Sequence, residues 1–163
     1  MFTRAIIITG LSLLISAGAA SAGMIQFDFP MDGLQETPPV ATPGTGTCQV
    51  LLNSGTGAYD VNCTFANLIG TTNNAHIHGP AAPGVPAGVM VGLTFDFGVT
   101  SGTITGNGIL TPAQTLDMIN GLTYVNLHTT FRPGGEIRGQ ITPEPATAVL
   151  LGLGCLAVIR RRR

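Results

Sequence analysis

Every histidine of the chain falls in one of two short segments, Asn74-Ala75-His76-Ile77-His78-Gly79-Pro80 and Tyr124-Val125-Asn126-Leu127-His128-Thr129. Read as strands, these segments alternate their side chains between two faces. Ala75 and Ile77 then point one way with Val125 and Leu127, while His76, His78, Asn126 and His128 point the other. The segment Glu136-Ile137-Arg138-Gly139-Gln140-Ile141 repeats the pattern, with Ile137 and Ile141 on the apolar side. A hairpin around Arg132-Pro133-Gly134-Gly135 sets His128 against Glu136 and Asn126 against Arg138. With the His76–His78 strand in the same sheet, His76, His78, Asn126, His128, Glu136 and Arg138 share one polar surface.

Two chemistries fit that surface. Histidines at i and i+2 on a strand can ligate one metal ion as neutral imidazoles; His128 supplies a third ligand, and Glu136 a fourth or an orienting partner. Imidazole ligands suit zinc or copper. The same side chains can instead form a hydrogen-bonded network with Glu136 and Arg138 as its charged pair, and then no cofactor is needed. The sequence holds no Ser-His-Asp order, no paired-carboxylate site and no glycine-rich phosphate loop between strand and helix, so no catalytic residue is assigned. A two-metal dismutase centre needs more than the three histidines present. The chain is read as non-enzymatic.

The elements that must position these residues are short. Glycine, threonine and asparagine fill the spaces between β-branched runs, which predicts an all-β domain with many tight turns. Strands are expected at roughly 24–29, 46–53, 58–66, 73–78, 88–95, 100–109, 123–130 and 135–141. One helix is expected from Thr111 to Asn120, with Thr111 as N-cap, Pro112 at the first position, Gln114 completing a capping box and Gly121 as the stop. The fold class is an antiparallel β-sandwich or Greek-key barrel, immunoglobulin-like or superoxide-dismutase-like, with one short helix.

Cys48 and Cys63 flank the turn Asn53-Ser54-Gly55-Thr56-Gly57. Pairing them across a hairpin puts Val50 opposite Val61 and Leu52 opposite Tyr59, all on one face, so alternation brings the two sulfurs together. In an oxidising compartment they form a disulfide; the alternative, a thiolate metal site, wants more cysteines or a histidine partner.

The two ends place the domain. Arg4 precedes an apolar run from Ala5 to Ala17, and Ala20-Ser21-Ala22 is a small-x-small cleavage site, the order of a secretory signal peptide over residues 1–22. Cleavage after Ala22 leaves a domain of residues 23–142. Residues 143–163 open with Pro143-Glu144-Pro145, run without charge from Ala146 to Ile159, and close on Arg160, Arg161, Arg162 and Arg163. At about 1.5 Å per residue the apolar stretch reaches roughly 20 Å against a bilayer core of about 30 Å, so by itself it is a poor permanent anchor that meets the membrane transiently; the alternative is a tail-anchored helix that is never processed. The arginines stay cytoplasmic by the positive-inside rule, with the domain outside. Cys155 lies in this tail and takes no part in the fold.

Between the ends the acids are Asp28, Asp32, Glu36, Asp60, Asp96, Asp117 and Glu136, the bases only Arg132 and Arg138, and lysine is absent. Two minus seven leaves the domain near −5. Nucleic acid needs a basic footprint and is excluded as a partner.

Proline-glutamate-proline, a short apolar segment and terminal arginines, in that order, resemble the PEP-CTERM sorting signal of Gram-negative bacteria. The resemblance implies recognition by an exosortase after signal peptidase has acted, removal of the tail, and delivery from the periplasm to the outer surface or extracellular matrix. A second resemblance spans the domain: Leu34-Gln35-Glu36-Thr37-Pro38-Pro39-Val40, Ala75-His76-Ile77-His78-Gly79-Pro80-Ala81, Tyr124-Val125-Asn126-Leu127-His128-Thr129 and Pro133-Gly134-Gly135-Glu136-Ile137-Arg138-Gly139-Gln140-Ile141. Together they are similar to the CHRD domain, which implies an extracellular β-sandwich module. Glu36 then joins the polar network with Asn126 and Arg138, because a loop stiffened by Pro38 and Pro39 can fold its carboxylate over that face. The expected function is a non-catalytic binding or structural module of the cell surface or matrix, with an unknown polymer or protein as partner. The alternative is a zinc- or copper-binding protein that uses the histidine face.

Overall fold

The computed structural model describes residues 23–143. The expected leader, and the sorting tail beyond Pro143, lie outside the described residues. Nine strands form one antiparallel sheet: β1 (Met24–Asp32), β2 (Thr45–Asn53), β3 (Ala58–Ala66), β4 (Thr72–His78), β5 (Val89–Gly92), β6 (Thr94–Phe95), β7 (Gly102–Ile109), β8 (Thr123–Thr129) and β9 (Ile137–Ile141). Their order is β5-β4-β8-β9-β1-β2-β3-β7-β6. The first and last strands of that order are consecutive in the chain, separated only by Leu93, whose N–H donates to the Ala75 carbonyl at 3.0 Å. One stretch of chain thus pairs with β4 at its start and β7 at its end, rolling the sheet into a nearly closed barrel. The expected strand at 88–95 is this stretch, and the all-β class with one short helix holds.

The interior is apolar because alternation puts it there. Phe27, Phe29, Met31, Val50, Leu52, Val61, Phe65, Ile77, Ile104, Val125, Leu127, Ile137 and Ile141 are all buried in one cluster. The expected hairpin register holds, with Cys48 opposite Cys63, Val50 opposite Val61 and Leu52 opposite Tyr59, and the disulfide is closed.

The helix, α1 (Pro112–Ile119), follows its signals. The Thr111 hydroxyl accepts from the Gln114 N–H, the Gln114 side chain accepts from the Thr111 N–H, and Gly121 leaves the helix at a φ of 72°. Met118 anchors α1 on the core.

One half of the sheet differs from the rest. Every residue of β8 and β9 is buried, on both faces. The barrel interior covers one face; the other is roofed by the segments 33–43 and 79–88. Asp32 starts the first roof segment, its carboxylate accepting from the N–H groups of Leu34 and Gln35 at 2.9 and 3.0 Å. The Gln35 side chain then accepts from the Gln140 N–H of β9 at 3.1 Å. The second segment is tied down by the Ala81 N–H donating to the Leu122 carbonyl at 2.8 Å and the Ala87 N–H donating to the Tyr124 hydroxyl at 3.0 Å.

Candidate functional site

Strands β4, β8 and β9 lie side by side, so the expected polar face exists. It is an enclosed polar layer under the roof segments rather than an open surface. Across β4 and β8, His76 pairs with Asn126, Asn74 with His128 and His78 with Tyr124; across β8 and β9, Asn126 pairs with Arg138 and Tyr124 with Gln140. Each of these side chains leaves the sheet on the face opposite Ile77, Val125 and Leu127, for the reason of strand parity alone.

The three histidine rings meet. Each offers one nitrogen within 4.8 Å of the others. His76 Nδ1 lies 3.1 Å from His128 Nε2, and the ring centroids of His76 and His78 are 5.5 Å apart. The outer nitrogens of two rings are engaged with backbone: His78 Nδ1 is 2.9 Å from the Ala87 carbonyl oxygen, and His128 Nδ1 is 2.9 Å from that of Pro133. A carbonyl can only accept, so both Nδ1 atoms carry the proton and both Nε2 atoms present lone pairs to the centre. His76 Nδ1–H is then the donor to His128 Nε2. The Nε2 of His78 is buried with no partner. Burial, and then the charge of the neighbouring imidazoles, pushes the His76 pKa below the ordinary histidine value. Burial does the same at His128, with the Pro133 carbonyl opposing it. Both rings are therefore neutral at neutral pH.

Tyr124, on the central strand of the three, organises the layer. Its ring stacks on His78 of β4, with centroids 5.0 Å apart and planes within 6°. From the β9 side the Arg138 guanidinium carbon stands 3.4 Å from the centroid. Arg138 also donates to the Val85 carbonyl at 3.1 Å and to the Gln140 side chain at 2.9 Å, which fastens the second roof segment to β9. Gln140 donates in turn to the carbonyls of Ala81 and Gly121 at 3.1 and 2.8 Å. Alternation from Asn126 and Arg138 reaches Tyr124 and Gln140 directly, so both were available to sequence reasoning, which passed over them.

Glu36 is folded over this layer, as the Pro38-Pro39 loop suggests. Its Oε1 and the Oδ1 of Asn126 are both buried without a hydrogen-bond partner. Both crowd Gly135, whose φ is 129° and whose added Cβ would collide with them. Burial raises the Glu36 pKa to about 7, against the opposing pull of Arg138 and the Thr37 N–H. Once protonated, Glu36 gains an O–H donor beside Asn126 Oδ1.

The raised value has a stability consequence with a definite sign. Glu36 supports the folded state fully below about pH 4.5, its ordinary value, and this support is lost as the pH rises through about 7. Relative to Glu36→Gln, the native protein is expected to lose up to about 3 kcal/mol of unfolding free energy between about pH 5 and about pH 8, at roughly 1.4 kcal/mol per pKa unit. Parallel urea titrations of the two proteins measure this, and the histidine titrations cancel in the difference. A difference independent of pH would refute the buried-carboxyl account.

Glu136 departs from expectation. It precedes β9 rather than lying in it, and the turn at Gly135 sends its carboxylate away from the histidines toward the start of β4. There it accepts four hydrogen bonds: from the Thr42 hydroxyl at 2.6 Å, the Ile69 N–H at 2.7 Å, the Gly70 N–H at 3.1 Å and the Thr129 hydroxyl at 2.6 Å. Its lone pairs are used there, so it is neither a ligand beside His128 nor the charged partner of Arg138. The carboxylate that faces Arg138 is Glu36. The disulfide cysteines belong to the opposite half of the barrel, across the core from this layer.

Comparison with known proteins gives one match: the CHRD domain covers residues 27–141. No curated protein matches the chain. No solved structure matches it either. The matched residues run from β1 to the last residue of β9 and include the histidine layer, both roof segments and the disulfide. By this match the chain belongs to the CHRD family.

Proposed function

We infer that the chain is an exported, non-catalytic binding or structural module of the cell surface or extracellular matrix, sorted by an exosortase through its C-terminal tail. The observation that supports this most is the Cys48–Cys63 disulfide, both of whose cysteines are 4% exposed inside the barrel. A structural cystine buried within a fold belongs to an oxidising compartment. That agrees with the leader expected at residues 1–22 and with the arginine-tipped tail. The acidic, lysine-free domain suits a partner other than nucleic acid.

The test is the mature chain itself. Expressed in a Gram-negative host that carries an exosortase, the protein is expected to begin at Gly23, to end near Pro143, to contain no free thiol at Cys48 or Cys63, and to reach the surface fraction. Replacing Pro143-Glu144-Pro145 by alanines is expected to leave the tail attached and to keep the protein out of the surface fraction. Intact mass and cell fractionation read both results. An uncleaved chain with reduced cysteines in the cytoplasm would overturn the reading, and tail removal in the alanine variant would overturn the exosortase part of it.

A further inference from the structure

We propose that His76, His78 and His128 form a three-imidazole site for a single zinc or copper ion. The inference takes from the export reading only the compartment, and otherwise rests on the geometry of the polar layer.

Three observations converge on this assignment. The first is the preset orientation of the rings. Ala87 and Pro133 hold the Nδ1–H groups of His78 and His128, and this is the arrangement in which a ligating histidine's outer nitrogen is fixed by a backbone carbonyl while the inner one faces the ion. The second is the unpartnered Nε2 of His78, an atom of a side chain 7% exposed. A hydrogen-bonded network explains His76 and His128, which share one proton-bearing contact, but leaves this buried lone pair without a donor. An ion among the three rings accounts for all of them. The third is spacing. Two nitrogens bound to one zinc at about 2.0–2.1 Å in a tetrahedral arrangement stand roughly 3.3 Å apart. His76 Nδ1 and His128 Nε2 are already 3.1 Å apart, and the third nitrogen lies within 4.8 Å. Small side-chain rotations close the remaining gap.

The chemistry of the donor set selects the ion. All three donors are neutral nitrogens; Glu136 is committed to its four donors, and among the described residues no carboxylate joins the three rings in the cluster. Calcium and magnesium want oxygen ligands, whereas imidazole suits zinc and copper. His78 and His128 would bind through Nε2 with their protons undisturbed. His76 would bind through Nδ1, its proton moving to Nε2. His76 is the half-buried member and gives the ion its way in. Three protein ligands leave a fourth position for water or an anion.

The experiment uses the processed, disulfide-closed protein recovered from the producing cell. It is stripped with chelator, then dialysed separately against Zn²⁺, Cu²⁺ and Ca²⁺. One equivalent of zinc or copper per chain is expected, none of calcium, and at least tenfold weaker retention in His78→Ala, His128→Ala and His76→Ala. Because His76 is half-buried, its variant keeps the test open if the other two fail to fold. Long-range proton–nitrogen NMR is expected to show the Nε2 signals of His78 and His128 moving on zinc addition while their Nδ1 atoms stay protonated. Failure of the native protein to retain either zinc or copper at one equivalent would overturn the proposal. So would retention that His76→Ala leaves unchanged. An exported, tail-processed and metal-free protein sinks this inference alone, and a metal-loaded protein retained in the cytoplasm sinks the export reading alone.

Discussion

Replacing Glu136 with alanine is expected to cost the domain about 4 kcal/mol or more, a large part of the roughly 5–15 kcal/mol that holds a domain of this size together. The carboxylate is fully buried and accepts from two backbone N–H groups and two hydroxyls. These donors belong to the roof segment at Thr42, the turn before β4 and the end of β8, so one side chain joins three separate parts of the chain. Truncation removes the acceptor of all four, and each donor left unsatisfied costs about 1–3 kcal/mol before relaxation. Glu136→Gln is expected to lose less, since its amide oxygen still accepts while its NH₂ opposes two donors. The urea midpoint measures both. Burial by itself would raise the Glu136 pKa, but the hydrogen bonds outweigh it and hold the group below the ordinary carboxylate value. A lowered folded-state value contributes stability above the unfolded value of about 4.5, and that stability is lost as the pH falls through the folded one. Glu136→Ala should therefore also flatten the acid limb of the stability curve. A loss below about 1 kcal/mol would contradict this account.

Removing the disulfide is expected to have the next largest effect. The double substitution Cys48→Ala, Cys63→Ala releases a crosslink with a sequence separation of 15, for which loop-closure entropy predicts about 3 kcal/mol. For a domain of this length that corresponds to a fall in Tm of roughly 10 °C. The two strands keep their register without the crosslink, because Val50 against Val61 and Leu52 against Tyr59 still bury the same face. The loss is therefore expected in stability, with the fold retained. Calorimetry of the double variant, and of the native protein unfolded in the presence of dithiothreitol, should agree. An unchanged Tm in both would show that the crosslink stabilises nothing. The histidine layer lies across the core, so the metal retention proposed for it is expected to be the same in the folded variant as in the native protein.

Alternation was enough to read most of this architecture before any coordinates. The Cys48–Cys63 register and the cap of α1 follow from period-two patterning and a few turn residues; the meeting of His76, His78 and His128 followed only on the added condition that β4 joins β8, which the sheet meets. Tyr124 and Gln140 obey the same parity and needed only to be counted. Glu136 escaped because parity holds inside a strand and fails one residue outside it: the positive φ of Gly135 turns the chain there, and four local donors then decide where the carboxylate goes. The roof was legible only in part. The Pro38-Pro39 loop suggests Glu36 folded over the face, but nothing local says that the whole of 33–43 and 79–88 closes over the sheet. That is decided by single long-range bonds such as Gln140 to Gln35 and Arg138 to Val85. The polar face was legible as a set of residues, and its enclosure was a matter of tertiary contacts.

The stretch from Val89 to Phe95, which serves both ends of the strand order, has a further consequence. An open sheet ends in rows of unsatisfied N–H and C=O groups, and these are templates on which a second chain can add a strand. Here the same seven-residue stretch covers part of both would-be templates, pairing with His76, Ile77 and His78 of β4 and with Ile104 and Thr105 of β7. This reduces the free backbone on which a second copy of the chain could add a strand. At those paired positions of β4 and β7 main-chain pairing is closed to another chain, so any contact there falls to side chains and loops.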